Sequence, residues 1–181
     1  MKKLLSLNNT LLIPWVVALI GILILTISIF LPYMTADGEL SDYINTHSDV
    51  IAIEDSDVTL GDFQNVPFLS VSKLVKSIWG EGDAEITDIF LIVLGVFAIL
   101  ITLFVLFKKP ILAMICDILT CGTFLFLNAL LEDLIGNDKY LLGIGYYAIL
   151  FALIVIFIGS ILMLIFKIIQ KKQQCSAKTQ L

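Results

Sequence analysis

"ITDIFLIVLGVFAILITLFVLFKKPILAMICDILTCGTFLFLNALL", residues 86–131, holds two long apolar runs parted only by Lys108, Lys109 and Pro110. Each run reaches the roughly 20 residues that a helix needs to cross a bilayer. Neither alternates in the way a barrel strand does. In lipid the helix is then the remaining solution, because it satisfies its own backbone groups. Two further runs, residues 11–33 and 141–166, have the same Leu, Ile, Val and Phe character. The composition agrees: 59% of the chain is hydrophobic, 15% is charged, and the mean hydropathy is +1.03. Soluble domains sit nearer about 45–50% apolar and 25% charged. The reading is an all-α membrane protein with four spans, residues 11–33, 86–107, 111–131 and 141–166.

Charge assigns the two sides. Lys2 and Lys3 lie in residues 1–10, Lys108 and Lys109 in the turn 108–110, and Lys167, Lys171, Lys172 and Lys178 in the tail 167–181. With four spans these segments share one side, and the positive-inside rule makes it the cytoplasm. The other side is acidic. Residues 34–85 form a loop of about fifty residues in which only Lys73 and Lys76 offset the carboxylates, and residues 132–140 form a short second loop. The expected location is the plasma membrane, multi-pass, with both termini cytoplasmic. The opening "MKKLLSLNN" is basic, but the uncharged run behind it is too long for a signal-peptide core, so a retained first span is expected. Trp15, Tyr33, Trp79, Tyr140, Tyr146 and Tyr147 are expected near the interfaces, where amphipathic rings prefer to sit.

The spans carry stripes of small residues at steps of three and four: Ala18, Gly21 and Ser28 in the first, Gly95 and Ala98 in the second, and Gly145, Ala148, Ala152 and Gly159 in the fourth. Small residues let helix backbones approach and pack by dispersion. That spacing favours a left-handed four-helix bundle. The same stripes could also pair separate chains, so the oligomeric state stays open.

Within the third span, Asp117 shares a stripe with Thr120, while Asn128 returns to nearly the same angle and Cys121 lies one turn away. A charge at depth is costly, so Asp117 should face the bundle and find a partner there. The chain has no Arg and no Lys inside any span, which leaves hydroxyls such as Thr26, Ser28, Thr102 or Ser160. Two readings follow. Asp117 is interhelical glue, or it belongs to a proton or cation path with Thr120, Cys121 and Asn128. A single acid with no second ionisable group at depth favours glue.

The long loop has structure of its own. Val71, Leu74, Val75 and Ile78 recur at helical spacing ahead of Trp79 and Gly80, which predicts an amphipathic helix over 68–79 that lies on the membrane or caps the bundle. Upstream, residues 50–53 and 58–60 read as two short strands of a small hairpin. Glu54, Asp55, Asp57 and Asp62 suggest calcium, but the spacing misses the EF-hand pattern, and no metal is assigned. Enzyme signatures are lacking. One histidine, His47, makes neither triad nor zinc set, and Cys116, Cys121 and Cys175 cannot brace the outer loop. No phosphate-binding loop suggests a nucleotide, and no cofactor or nucleic acid is implied.

In topology the chain resembles claudin-type four-span proteins, although the claudin Trp, Gly-Leu-Trp and cysteine signature is not in its loop. Through "FLPY" at 30–33, "FKKP" at 107–110 and "GIGYY" at 143–147 it is similar, over its whole length, to small uncharacterised bacterial four-span membrane proteins. That resemblance implies no activity. The expectation is a non-enzymatic protein, an accessory subunit, scaffold or immunity-type protein, acting through the outer loop or the helix stripes. The alternative is a small transporter or channel built on Asp117.

Overall fold

The computed structural model describes residues 12–53, 58–135 and 139–178. In chain order the elements are α1 (Leu12–Ser28), β1 (Pro32–Ala36), α2 (Gly38–Thr46), β2 (Asn65–Pro67), α3 (Val71–Trp79), α4 (Glu81–Leu106), α5 (Pro110–Ile135), β3 (Tyr140–Leu142) and α6 (Ile144–Lys178), with short 3-10 turns at Leu60–Phe63 and Phe68–Ser70. Three helices, α4, α5 and α6, are long and apolar enough to cross a membrane, and α1 is a shorter apolar helix of 17 residues.

The first apolar run does not stay helical to residue 33. Ser28 turns its hydroxyl back onto the Ile24 carbonyl at 2.6 Å, a contact that competes with the helix ladder. Phe30 and Leu31 then close tight turns onto Ile27 and Ser28. Leu31 precedes a proline, which disfavours the helical conformation, and Pro32 opens β1 instead of ending the helix. At the other end of the long loop α4 starts at Glu81, ahead of residue 86. Gly80 (φ 93°) stops α3, and Glu81 and Asp83 occupy the first turn, where carboxylates complement the helix dipole.

Lys108 forms the turn between α4 and α5. It takes a left-handed conformation (φ 53°), its N–H donates to Val105, and the Lys109 N–H reaches back to Phe104 at 2.8 Å. This is a Schellman ending built on lysine instead of glycine, followed by Pro110 at the first position of α5. Trp15 Nε1 donates to the Val105 carbonyl at 3.1 Å, and the Lys108 ammonium lies 5.5 Å from the Trp15 ring centre. The indole thus ties α1 to the end of α4.

The helices α1, α4, α5 and α6 share one core that includes Ala18, Leu25, Leu94, Ile101, Phe124, Leu127, Ala152 and Ile156. The closest pairings are α1 with α6 and α4 with α5, whereas α1 and α4 touch only lightly. Outward, the helices expose large apolar side chains over their length, among them Ile92 (66%), Ile118 (57%) and Phe151 (57%). A soluble protein rarely exposes apolar surface on that scale, whereas a lipid-facing one does so by design.

Both inter-helix segments at the far end join one sheet. β1 lies in the centre, antiparallel to β2 on one side and to β3 on the other, with Met34 opposite Val66 and Leu142. The stretches 50–53 and 58–60 meet at one bridge, Ile51 to Thr59, flanked by hydrogen bonds from Ala52 to Val58 and from Leu60 to Val50, both 2.9 Å. The sheet itself was not expected from sequence, and it makes the two loops a single domain at one end of the helices, the outer domain of the expected topology.

Candidate functional site

Two places carry chemistry: the outer domain and the polar face of α5. The outer domain is anchored by Tyr33. This residue was expected as an interfacial ring at the end of the first span; the structure places it in β1, after the helix has ended, and fully buried. Its ring meets Phe68, Phe124 and Tyr146 edge-on, at 5.1, 6.0 and 5.9 Å between centres. Its hydroxyl donates to Asn128 Oδ1 at 2.9 Å. The loop, α5 and α6 therefore meet at one aromatic cluster.

The stretch 68–79 folds as a 3-10 turn followed by α3. Val71, Leu74 and Val75 are buried, while Ile78 and Trp79 are exposed on the outer side of the helix. α3 packs against α4 and touches α5, and Trp79 Nε1 donates to the Leu134 carbonyl at 2.7 Å near the end of α5. On β3, Tyr140 is buried and donates to the Phe63 carbonyl at 3.1 Å, and burial pushes its phenol up from 10.0 to about 12. A neutral phenol is thus favoured in the fold. Its contribution to stability is complete below about pH 10 and fades as pH rises through about 12. In detergent solution the outer domain is expected to loosen across that interval, read from Trp79 emission. Tyr140→Phe should shrink the alkaline step and cost about 1 kcal/mol of hydrogen bonding at neutral pH.

The end of α2 and the residues after it show a distinct patch. Tyr43 stacks on His47 with ring centres 4.5 Å apart, and Val50 N–H bonds back to the His47 carbonyl at 3.0 Å, which sets Val50 and Ile51 beside the stacked pair. Tyr43, Val50 and Ile51 are each at least half exposed. Asp42 and Asp49, both exposed, flank them in sequence. The same loop also bounds a cleft of about 530 Å³ lined by Asp62, Asn65, Ser70 and Lys73 among others. Asp62 is already committed there, accepting from the Thr59 N–H at 2.8 Å and the Thr59 hydroxyl at 3.2 Å. Glu54, Asp55 and Asp57 lie outside the described residues, and so does Lys178 as far as its side chain is concerned.

On α5 the residues grouped by spacing separate. Asn128 is taken by Tyr33 under the outer domain. Thr120 is buried and donates to the Cys116 carbonyl of its own helix at 2.7 Å. Asp117 is 3% exposed, and its Oδ1 has no hydrogen-bond partner among the described residues. The hydroxyls that could have served it are turned elsewhere: Thr26 donates to Ile22, Ser28 to Ile24 and Thr102 to Ala98, each along its own helix. Ser160 is fully buried, and its hydroxyl also has no partner among the described residues. Asp117 and Cys121 instead line an open groove of about 540 Å³ between α5 and α6, with Gly122, Leu150, Leu153 and Phe157.

The small residues divide likewise. A side chain at Gly21 would meet Ile156 N at 2.9 Å and Ala152 O at 3.2 Å, and one at Gly159 would meet Ala18 N at 2.7 Å. Ala18, Gly21, Ala152 and Gly159 thus form the α1–α6 contact, and Ser28 is buried at its upper end. Gly145 lies against the Leu31 carbonyl and Ala148 is half-buried beyond it. Gly95 differs from the packing expectation: it is exposed, nothing lies within 4 Å of its Cβ position, and with Ala98 it lines a groove of about 400 Å³ between α1 and α4. A small cavity bounded by all four apolar helices, near Leu25, Leu94, Thr120, Phe124 and Ile149, holds only about 70 Å³.

No protein-family model, curated protein or solved structure matches the chain.

Proposed function

We propose that this is a non-enzymatic plasma-membrane protein of four spans, a left-handed bundle with both termini cytoplasmic, that acts by binding a protein partner through its outer domain. The observation that carries this reading is the exposed Tyr43–His47–Val50–Ile51 patch on a domain tied to the helices by Tyr33 and Trp79 and built on the three-stranded sheet. Aromatic and aliphatic side chains ringed by charge are typical of an interface centre. Acidic neighbours at Asp42 and Asp49 suit a partner with a basic rim. A role as accessory subunit, scaffold or immunity-type protein fits this geometry. The transporter reading draws less support, since Thr120 and Asn128 are engaged within the fold and the described cavity that touches all four apolar helices holds about 70 Å³.

The test is co-purification from native membranes in mild detergent, comparing the intact chain with Tyr43→Glu/Ile51→Glu. The two positions are exposed, so the fold should survive with little change in stability. A specific partner held by the intact chain and lost at least tenfold with the double variant is the expected result. Proton or cation flux from the purified chain in liposomes, abolished by Asp117→Asn, would replace this reading with the transporter.

A further inference from the structure

We propose that the groove between α5 and α6 seats a transmembrane helix of a partner protein bearing a lysine or arginine level with Asp117. This rests on α5 and α6 being membrane spans but not on the outer patch, which lies in a different part of the molecule. Asp117 is 97% buried, lines the groove and leaves Oδ1 without a hydrogen bond among the described residues. No described residue of this chain bonds that oxygen, and the Ser160 hydroxyl, which could have served, is likewise without a partner among the described residues. The sequence has no Arg, its spans hold no Lys, and the hydroxyls of Thr26, Ser28, Thr102 and Thr120 all donate within their own helices.

The depth of Asp117 selects the kind of partner. At about 1.5 Å per residue it lies roughly 10 Å along α5 from Pro110. Phospholipid donors sit at headgroup level, and the acyl chains that reach this depth have none. A second copy of this chain would bring another carboxyl and no cation. A helix can hold a cation or donor at any chosen depth, and an ionisable group buried in a membrane span calls for such a partner. The walls suit a helix as well. From Asp117 to Leu125 on α5 and from Leu150 to Phe157 on α6, each wall runs roughly 10–12 Å, about two helical turns. Between them Gly122 is exposed with nothing within 4 Å of its Cβ position, which leaves backbone open to close approach.

The test uses the full chain, with an acceptor fluorophore on its C-terminal tail, in phosphatidylcholine nanodiscs. The probes are donor-labelled Leu/Ala-rich transmembrane peptides that carry one Lys at the Asp117 depth, one Lys a full turn away, or Leu throughout. The depth-matched Lys peptide should associate roughly tenfold more tightly than the Leu peptide, from one added interhelical polar contact. With copper phenanthroline added as oxidant, a cysteine on that peptide should form a disulfide with Cys121, which lines the groove. Asp117→Asn should erase the preference for Lys. Gly122→Leu, placed where space is open, should weaken all three peptides while leaving the helix content unchanged. The proposal is overturned if the Lys and Leu peptides bind alike, or if the preference survives Asp117→Asn. It is also overturned if dodecylamine at equal mole fraction displaces the peptide as an equal ligand, which would assign the groove to a lipid-phase amine, or if the chain self-associates through Asp117 without peptide. Because the peptides never contact the outer domain, failure here leaves the outer-patch reading standing, and the reverse holds too.

Discussion

Gly159→Leu is expected to separate α1 from α6 and to prevent recovery of a folded, monodisperse protein in detergent. The Cβ position at Gly159 is 2.7 Å from Ala18 N, 2.9 Å from Ala18 Cα and 2.9 Å from Ala18 Cβ. Two of those atoms are backbone, so no rotamer change relieves the clash and the helices must move apart. Movement would open the contact made one turn further up, where Gly21 lies against Ile156 N and the Ala152 carbonyl. In lipid this contact has no hydrophobic substitute, since a side chain that leaves the interface simply meets acyl chains. Gly159→Ala alone should cost about 1–3 kcal/mol, as overpacked cores do, and leucine more. Gly95→Ala and Gly122→Ala provide the contrast, because both positions are open, and each should leave stability unchanged or raise it by up to about 1 kcal/mol. Unfolding in graded SDS, followed by Trp15 emission, distinguishes the two classes. Equal losses at Gly159 and Gly95 would mean that the helices pack differently.

Tyr33→Ala carries the second large effect. This ring is fully buried where β1, the 3-10 turn at Phe68, α5 and α6 meet, and it contacts three other aromatic rings. Truncating an aromatic core residue costs about 3–5 kcal/mol. Here the loss also frees the outer domain from the helices, since Asn128 loses the hydroxyl that binds it at 2.9 Å. Tyr33→Phe isolates that hydrogen bond and should cost only about 1 kcal/mol. The expected signature of Tyr33→Ala is rapid proteolysis within residues 37–67 while the helices remain protected. Cleavage at wild-type rate would show that the outer domain is held by other contacts.

The helices were legible because apolar length is written directly in the sequence, and α4, α5 and α6 follow from it. The end of α1 was less so. An uncharged run reads on to residue 33, and only the Leu31–Pro32 step, with the back-bonded Ser28, hints that the chain stops being helical earlier. The sheet escaped notice because its strands are short, β2 and β3 three residues each, and pair across long sequence separations. Gly143 held a clue. Its N–H bonds to the Tyr33 carbonyl at 2.8 Å, and a Cβ there would strike the Pro32 carbonyl, so "GIGYY" marks a close crossing of two backbones. Helical periodicity placed Asp117, Thr120 and Asn128 on one face, which says nothing about their partners. Asn128 is claimed by a residue 95 positions away, and Asp117 Oδ1 is left without a partner among the described residues. Equal spacing likewise put Gly21 and Gly95 in one class, although one touches a neighbouring backbone and the other faces open space.

The most direct measurement is photo-crosslinking in intact cells, with a photoreactive residue replacing Ile51 in the outer patch and, as control, Ile92, exposed on the apolar surface of α4. The account predicts a discrete protein adduct from position 51 that disappears with Tyr43→Glu, and only lipid adducts from position 92. Lipid adducts alone from position 51, or a protein adduct indifferent to Tyr43→Glu, would contradict it.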